Sequence, residues 1–435
     1  MDYALTCLQK PWRVRVHRLR SASKGRVPVV GGRVAAGLLL AALMPLFALL
    51  AAMGARVRRT AKLGAGGTHL SEMVFVWNNG REVPRLGSLA KLINILRGEL
   101  AWVGPASRQP GELNLRLEAA RRVSSVHPGL VSTWWVRQRT NIAYGDQLEA
   151  DSEYVNTRST KADLGILFRS VLACAYGKSR GEFAKQAEIL GVQIDNLSMD
   201  EALDEITRPA ASARQISFVN VDCVNLAHRD DTYRQVLASS DLSLGDGIGL
   251  RLAGSILHTE LRQNVNGTDL FPRLCARMEQ EGLRLFLLGG KPGVASEVTK
   301  WIAQRYPDLE VAGIQHGYFK PEEEAAIVDR INGSRTGVLL VAFGAPLQET
   351  WIHRHLPQLD VRSALGVGGL FDFYSGRTPR APQWLREIGL EWTYRLYQEP
   401  KRMWRRYLVG NVVFLSRVVL ARLRGQFATA TPGSK

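Results

Sequence analysis

The sequence predicts an α/β protein. Its second half reads as a parallel sheet covered by helices, and its first half as a mostly helical, membrane-associated unit. Three observations carry this. From Ile189 onward, short apolar runs alternate with amphipathic stretches, the pattern of repeated βαβ units. Polar, glycine-bearing clusters close several of those runs, and an open α/β sheet presents its site at the carboxyl ends of its strands. Near the start, Ala35–Met53 is an almost unbroken apolar run.

A chain of 435 residues is too long for one compact core, so two or three units are expected. Hydrophobic residues make up 46%, which excludes a mostly disordered chain. The formal net charge of +17 points to an anionic partner: phosphates, lipid headgroups or nucleic acid. Cys7, Cys174, Cys223 and Cys275 form no CxxC pair and no metal-ligand cluster. That suits a reducing cytoplasm, without disulfides or zinc.

Residues 1–33 form a polar leader with Arg13, Arg15, Arg18, Arg20, Lys24, Arg26 and Arg33. Residues 34–56 carry the apolar run, about as long as a spanning helix needs, with Pro45 near its middle. The long basic leader and the missing small-residue cleavage pattern argue against a secretory signal. The second flank is also basic, through Arg56, Arg58, Arg59 and Lys62. The positive-inside rule therefore puts both flanks in the cytoplasm. A helix broken at Pro45 that enters and leaves on one face satisfies that rule better than a true span.

Residues 57–180 form a loosely patterned unit, and the polar stretch Lys178–Lys185 marks its end. Residues 186–383 form the α/β unit. Strands are expected at Ile216–Val221, Leu242–Leu244, Leu285–Leu288, Leu309–Ile314, Val338–Phe343 and Ala364–Val367. Helices are expected at Thr232–Ser239, Val294–Arg305 and Pro321–Ile331. Residues 384–425 form a basic, aromatic appendage.

The stretch Ser240–Leu250 ends a short apolar run in Gly245-Asp246-Gly247. Glycines on both sides let a substrate approach the backbone and leave the Asp246 carboxylate uncovered. The plainer reading of Asp-Gly is a turn. Leu285–Ala295 reads as a strand, a glycine turn at Gly289-Gly290 and a helix start, an arrangement that suits a nucleotide diphosphate. It is neither the G-x-G-x-x-G fingerprint nor a P-loop. A second such turn, Val341–Pro346, is followed by Gln348 and Glu349. Gln348 could read a base or sugar edge through its amide, or simply cap a helix. Gly366–Asp372 makes a third glycine-rich strand end.

The stretch Lys91–Pro105, with His127-Pro128-Gly129-Leu130 and Asp151–Tyr154, resembles the bacterial sugar transferases over residues 30–177. These are monotopic enzymes that load a sugar phosphate onto polyprenyl phosphate. The resemblance implies a re-entrant helix and an Asp-Glu pair serving as nucleophile and magnesium site. Here the aligned pair is Gly87-Ser88, and the segment Gly104-Pro105-Ala106-Ser107 is also eroded. Covalent phosphoryl chemistry of this kind needs an oxygen nucleophile and a neutralising cation. The unit therefore reads as a catalytically dead membrane-docking module, with Glu82 the one nearby acid that could substitute.

From Ile189 to Leu423 the motifs F-V-N-x-D-C-x-N, D-G-I-G, N-G-T-D-L, L-L-G-G-x-P-G-V-A, H-G-Y-F, G-x-P-x-Q-E-x-W-I, G-V-G-G-x-F-D-F-x-S-G and R-A-P occur in order. This half resembles the WecG/TagA/CpsF glycosyltransferases. The resemblance implies a Rossmann-like domain with a C-terminal helical appendage. It also implies inverting, metal-independent transfer from a UDP-sugar to a polyprenyl-diphosphate-linked sugar, with no cofactor. It places the base on Asp246, beside Asn220, while the neighbouring threonine position holds Phe218. It places substrate contacts in Arg262–Asp269, including Arg262, Asn266 and Asp269, and at Gln348 and Glu349. In the appendage it matches Arg395, Arg402 and Arg405. Without a metal, cations must neutralise the leaving diphosphate, and arginine forks suit its oxygens. Arg406 is a further candidate.

In the appendage, arginine alternates with Trp384, Trp392, Tyr394, Tyr397, Trp404 and Tyr407. That mixture suits nucleic acid or an anionic membrane. The mostly apolar run Leu408–Leu420 favours the membrane, so no nucleic-acid partner is expected. The reading is a glycosyltransferase of surface polysaccharide assembly on the cytoplasmic face of a bacterial inner membrane. It is expected to act as a homo-oligomer or within an assembly complex. The competing reading is a non-catalytic membrane scaffold of such a complex.

Overall fold

A computed structural model describes residues 29–83, 86–109, 111–112, 118–140, 146–176 and 183–425. The basic leader up to residue 28 and most of the Lys178–Lys185 stretch lie outside the described residues. The chain forms two compact units. One comprises residues up to Ser132 with Asp151–Leu167, and the other Thr133–Ala150 with Phe168 onward.

In the first unit, one apolar helix runs from Val29 to Ala52. It is long and apolar enough to cross a membrane. The sequence suggests a break at Pro45, but the helix continues through it. A proline removes one backbone hydrogen bond and can bend a helix without ending it. One side of this helix is packed, with Ala36 and Leu50 buried. They sit in small cores with Leu70, Leu92 and Ile95 on one side and Met73 and Phe75 on the other. The opposite side leaves Leu38, Met44 and Leu49 exposed.

The helix is followed by an antiparallel pair, β1 (Arg56–Leu63) and β2 (His69–Val76). A mostly helical first half does not foresee this hairpin. Four of the eight β1 residues are Arg or Lys, so no apolar alternation announces the strand. Edge strands commonly carry such charge. Asn94 on the helix Lys91–Arg97 fixes that helix to β2: it accepts from the Met73 amide at 3.0 Å and donates to the Ser71 carbonyl at 2.7 Å. Two short strands, β3 (Ala101–Val103) and β4 (Gly129–Val131), pair in parallel. Glu82 lies against Gly87, where a Cβ would come within 2.8 Å of its carboxylate.

The second unit is built on an eight-stranded sheet. Its strands are β5 (Gln186–Ile189), β6 (Val192–Asp195), β7 (Arg214–Val219), β8 (Leu242–Gly245), β9 (Leu285–Gly289), β10 (Val311–Gln315), β11 (Val338–Ala342) and β12 (Ser363–Gly366). Their order is β10-β9-β11-β12-β7-β8-β6-β5. All neighbours are parallel except β5 and β6. The six expected strands are present. The β5–β6 hairpin is an addition to them: it turns through Leu190 and Gly191, at φ 51° and 81°. Two-residue loops of that kind are read from Asn-Gly or Asp-Gly, and leucine hides the signal. The central strands are fully buried, as expected for parallel strands covered on both faces.

The appendage is helical. The run Leu408–Leu420, read as membrane-favouring, divides by face. Phe414 and Val418 are buried in a core with Val224, Leu250 and Leu257. Val412, Val419 and Leu423 on the same helix are exposed.

Candidate active site

β7 and β8 lie side by side, with Val219 opposite Gly245. Both strands therefore end at the same level, and the residues after them, Asn220 and Asp246, line one cavity of about 330 Å³. Asn220 caps the helix after β7, its side-chain oxygen accepting from the Asp222 and Cys223 amides at 2.9 and 3.2 Å. The Asp246 amide donates to the Val219 carbonyl at 2.7 Å, which fixes the residue in place. Gly247, at φ 101°, turns the chain into the helix Ile248–Leu257. Its amide donates to Asn264 at 2.6 Å. Asn266 caps the helix Gly267–Glu281 and donates to the Asp269 carboxylate at 2.8 Å. The remaining wall comes from the appendage: Arg386, Glu391, Trp392, Arg395, Arg406 and Tyr407.

The charges fall into pairs, with one acid outstanding. Asp222 pairs with Arg406 at 3.2 Å. Asp269 pairs with Arg380 at 2.8 Å and Arg386 at 3.6 Å, and Arg380 also reaches Glu391 at 3.6 Å. Asp246 makes no ion pair among the described residues. Burial pushes its carboxyl up to about 7, and Glu391 adds to this while Arg406 opposes it. Burial also raises Glu391. Arg395 stacks over Phe373 at 4.8 Å, and its buried Nε has no hydrogen-bond partner among the described residues. It approaches the Gly369 turn so closely that a Cβ there would lie 3.1 Å from its guanidinium. A carboxylate poised near neutrality thus shares a cavity with a guanidinium that keeps an unused donor. That pairing can take a proton from a hydroxyl and receive a departing anion.

Asn220, Asp246, Asn266, Asp269 and Arg395 are brought together around this cavity. The other expected site residues lie elsewhere. Gly289 and Gly290 end β9, which is separated from β8 by β11, β12 and β7. Gln348 and Glu349 are buried beneath the sheet's glycine turns. The Gln348 oxygen accepts from the Gly344 and Gly368 amides at 3.0 and 2.8 Å, and its amide donates to Glu349 at 2.7 Å. Both ends of its amide are therefore engaged within the protein. Burial raises the Glu349 carboxyl. Arg262 points away and pairs with Glu201 at 2.7 Å.

Arg402 is 67% exposed and reaches Glu399 at 3.3 Å. Arg405 lies over Trp404 at 5.4 Å. Phe218 is core, packed under Gly267. The residues missed in the sequence are Asp222, Arg386 and Glu391. Each is a charged residue next to a strand end or appendage motif, and only the fold turns it inward. Among the described residues, no group of three or more His, Cys, Asp or Glu is arranged to hold a metal ion.

Residues 187–428 match the family model of the glycosyl transferase WecG/TagA/CpsF family, and residues 82–177 that of the bacterial sugar transferases. The chain is similar to an N-acetylglucosaminyldiphosphoundecaprenol N-acetyl-beta-D-mannosaminyltransferase of Bacillus spizizenii. The two are 35% identical over 206 residues, 47% of this chain and 77% of that protein. It is 34% identical to the protein of the same description from Bacillus subtilis over 193 residues, 44% of this chain and 74% of the relative.

Proposed function

Because the chain belongs to the WecG/TagA/CpsF glycosyltransferase family, we propose that it moves a sugar, with inversion, from a UDP-sugar to a polyprenyl-diphosphate-linked sugar on the cytoplasmic face of a bacterial inner membrane. The reaction serves surface polysaccharide assembly, and N-acetylmannosamine is the donor sugar to try first. The names of both Bacillus relatives support an N-acetylmannosaminyl donor and an N-acetylglucosaminyl-diphosphoundecaprenol acceptor. The observation that carries the reading is Asp246, without an ion-pair partner among the described residues, in a cavity that also holds Arg395.

In this reading the Asp246 carboxylate takes the proton of the acceptor hydroxyl. The hydroxyl oxygen bonds to the anomeric carbon from the face opposite the diphosphate. The carbon–oxygen bond to UDP breaks, and UDP leaves with the electron pair. Arg395, with Arg386 and Arg406, receives the developing charge. The apolar helix at Val29–Ala52 supports membrane association, as does the match to bacterial sugar transferases. Full-length protein in detergent or vesicles, given a panel of UDP-sugars and a polyprenyl-diphosphate GlcNAc, should release UDP with one donor. No UDP release with any donor in the panel would sink the reading.

A further inference from the structure

Two segments from the sugar-transferase-like part of the chain fold in the same compact unit as the sheet: Thr133–Ala150 and the stretch from Phe168. They meet the appendage at one carboxylate. Glu387, 2% exposed, accepts at Oε1 from Arg137 Nε and Nη2 at 2.9 and 2.7 Å. Gln383 donates to the same oxygen at 3.1 Å, and Arg169 donates to Oε2. Arg137 is itself only 3% exposed. The helix that carries Arg137 also grips the other side of the cavity. There the carbonyl of Arg139 accepts from Arg251 at 3.2 Å, and Arg251 lies on the helix that begins two residues after Asp246.

We infer that Arg137 and Arg169, acting through Glu387, are positioning residues for glycosyl transfer: they hold the wall that carries Arg386, Glu391 and Arg395 against Asp246. Arg137, Arg169 and Glu387 do not line the cavity themselves, so each acts through its neighbours. A buried carboxylate with two guanidiniums has few alternative geometries, because leaving any member unpaired in that setting is costly. The helix Gln383–Glu387 is only five residues long, too short to hold a fixed place by its own backbone. The role uses no carboxylate pair at Gly87-Ser88, so it does not depend on whether the first half transfers sugar phosphate. The catalytic part of the inference rests on the proposed function, and the clamp itself does not.

The test uses the full chain and the variants Arg137→Gln, Glu387→Gln and the conservative Arg169→Lys. Two readouts are taken: UDP release against pH, and hydrogen exchange by residue segment. The titratable groups that line the cavity with Asp246 are Glu391, Asp269, Arg395, Arg406, Asp222, Arg386 and Tyr407. Loosening the wall withdraws Glu391 and admits water, so the acid limb of the kcat profile should move toward ordinary carboxylate values. For Arg137→Gln and Glu387→Gln we expect kcat to fall roughly 10- to 100-fold. Exchange should rise in residues 383–398 and stay unchanged in the sheet, and Arg169→Lys should keep most activity. Unchanged exchange at 383–398 overturns the inference. So does faster exchange there with kcat and the acid limb unmoved, or faster exchange throughout the sheet. If the unaltered protein releases UDP with no donor, the proposed function fails while the exchange arm still decides the clamp.

Discussion

Ile248 and Gly389 touch so closely that a Cβ on Gly389 would lie 2.8 Å from the Ile248 Cβ. Ile248 comes just after the Asp246 turn and Gly389 belongs to the appendage, so this contact is where the two walls of the cavity meet. Gly389 also sits at φ 71°, in the left-handed region that side chains disfavour. Gly389→Ala meets both penalties. It should cost about 1–2 kcal/mol for the backbone alone and more for the displaced wall. Thermal unfolding should show a lower Tm, and kcat/KM should fall beyond what the lost folded fraction explains. A neutral Gly389→Ala would mean the walls can part freely.

As the proposed base, Asp246 should set the pH dependence. As the base it must be ionised, so turnover should rise with pH through about 7 and fall away on the acid side. Asp246→Asn should lower kcat by roughly 10²–10⁴-fold while UDP-sugar binding survives. Stability should move the other way. The folded carboxyl binds its proton more tightly than the unfolded one, so its contribution is fully present below the unfolded value near 3.9 and lost as pH rises through about 7. At pH 8 the asparagine variant should therefore unfold at a higher temperature, by roughly 1–2 °C for each kcal/mol recovered. Unchanged turnover in that variant would remove Asp246 from the mechanism.

How much of this site the sequence discloses depends on what reports it. Asp246 and Asn220 are legible because strand ends in a parallel sheet converge on one edge. The arginines of the appendage are harder. Arg395 and Arg402 would share a face on one continuous helix, but the chain breaks at Glu399, with φ −128° and ψ 61°. A π turn then runs from Arg405 to Val409, and such a turn shifts the phase of the helix beyond it. Arg406 lines the cavity while Arg402 and Arg405 do not. No periodicity in Glu391–Tyr407 announces either event. Glu387 is equally silent: its partners Arg137 and Arg169 lie 250 and 218 residues away.

Gln348 joins two glycine turns, and its loss should be structural. Gln348→Ala leaves the Gly344 and Gly368 amides and the buried Glu349 carboxylate without their partner. Leaving such buried groups unmade costs about 1–3 kcal/mol. Denaturant titration should register that loss, and Gln348→Glu should not restore it, because a second carboxylate would face Glu349. A fully stable alanine variant with weakened nucleotide binding would return Gln348 to the role of a substrate reader.

The first half is expected to release no UMP from any UDP-sugar, because Gly87 and Ser88 stand where the resemblance expects the carboxylate pair. Residues 133–150 and those from 168 fold with the second unit, so the fair assay is full-length Asp246→Asn, which should suppress UDP release without cutting the chain. Glu82, beside Gly87, is the acid to watch. UMP release that disappears in a further Glu82→Ala change would show that phosphoryl transfer has been rebuilt on that residue.

Membrane attachment and chemistry should separate cleanly. In the proposed reaction the acceptor's diphosphate is tied to a lipid, so the cavity would work at a bilayer surface. Truncation after Pro382 cannot test the appendage, because it would strip Phe414 and Val418 from the core they share with Leu250 and Leu257. Point changes can. Leu38 and Leu49 are exposed on the apolar helix, while Ala36 and Leu50 carry its packing. Leu38→Asp with Leu49→Asp keeps the packed face and places two charges where lipid is expected, each costing about 2.5–3.5 kcal/mol at mid-bilayer. That protein should fail to float with vesicles yet still release UDP with a short, water-soluble acceptor. Arg395→Ala should do the reverse. It should float normally and lose roughly 10²–10³-fold in kcat, the cost of removing one preorganised donor from a developing anion. Full activity in Arg395→Ala would mean that Arg386 and Arg406 suffice for the leaving group, and loss of flotation in that variant would make the appendage, not the helix, the anchor.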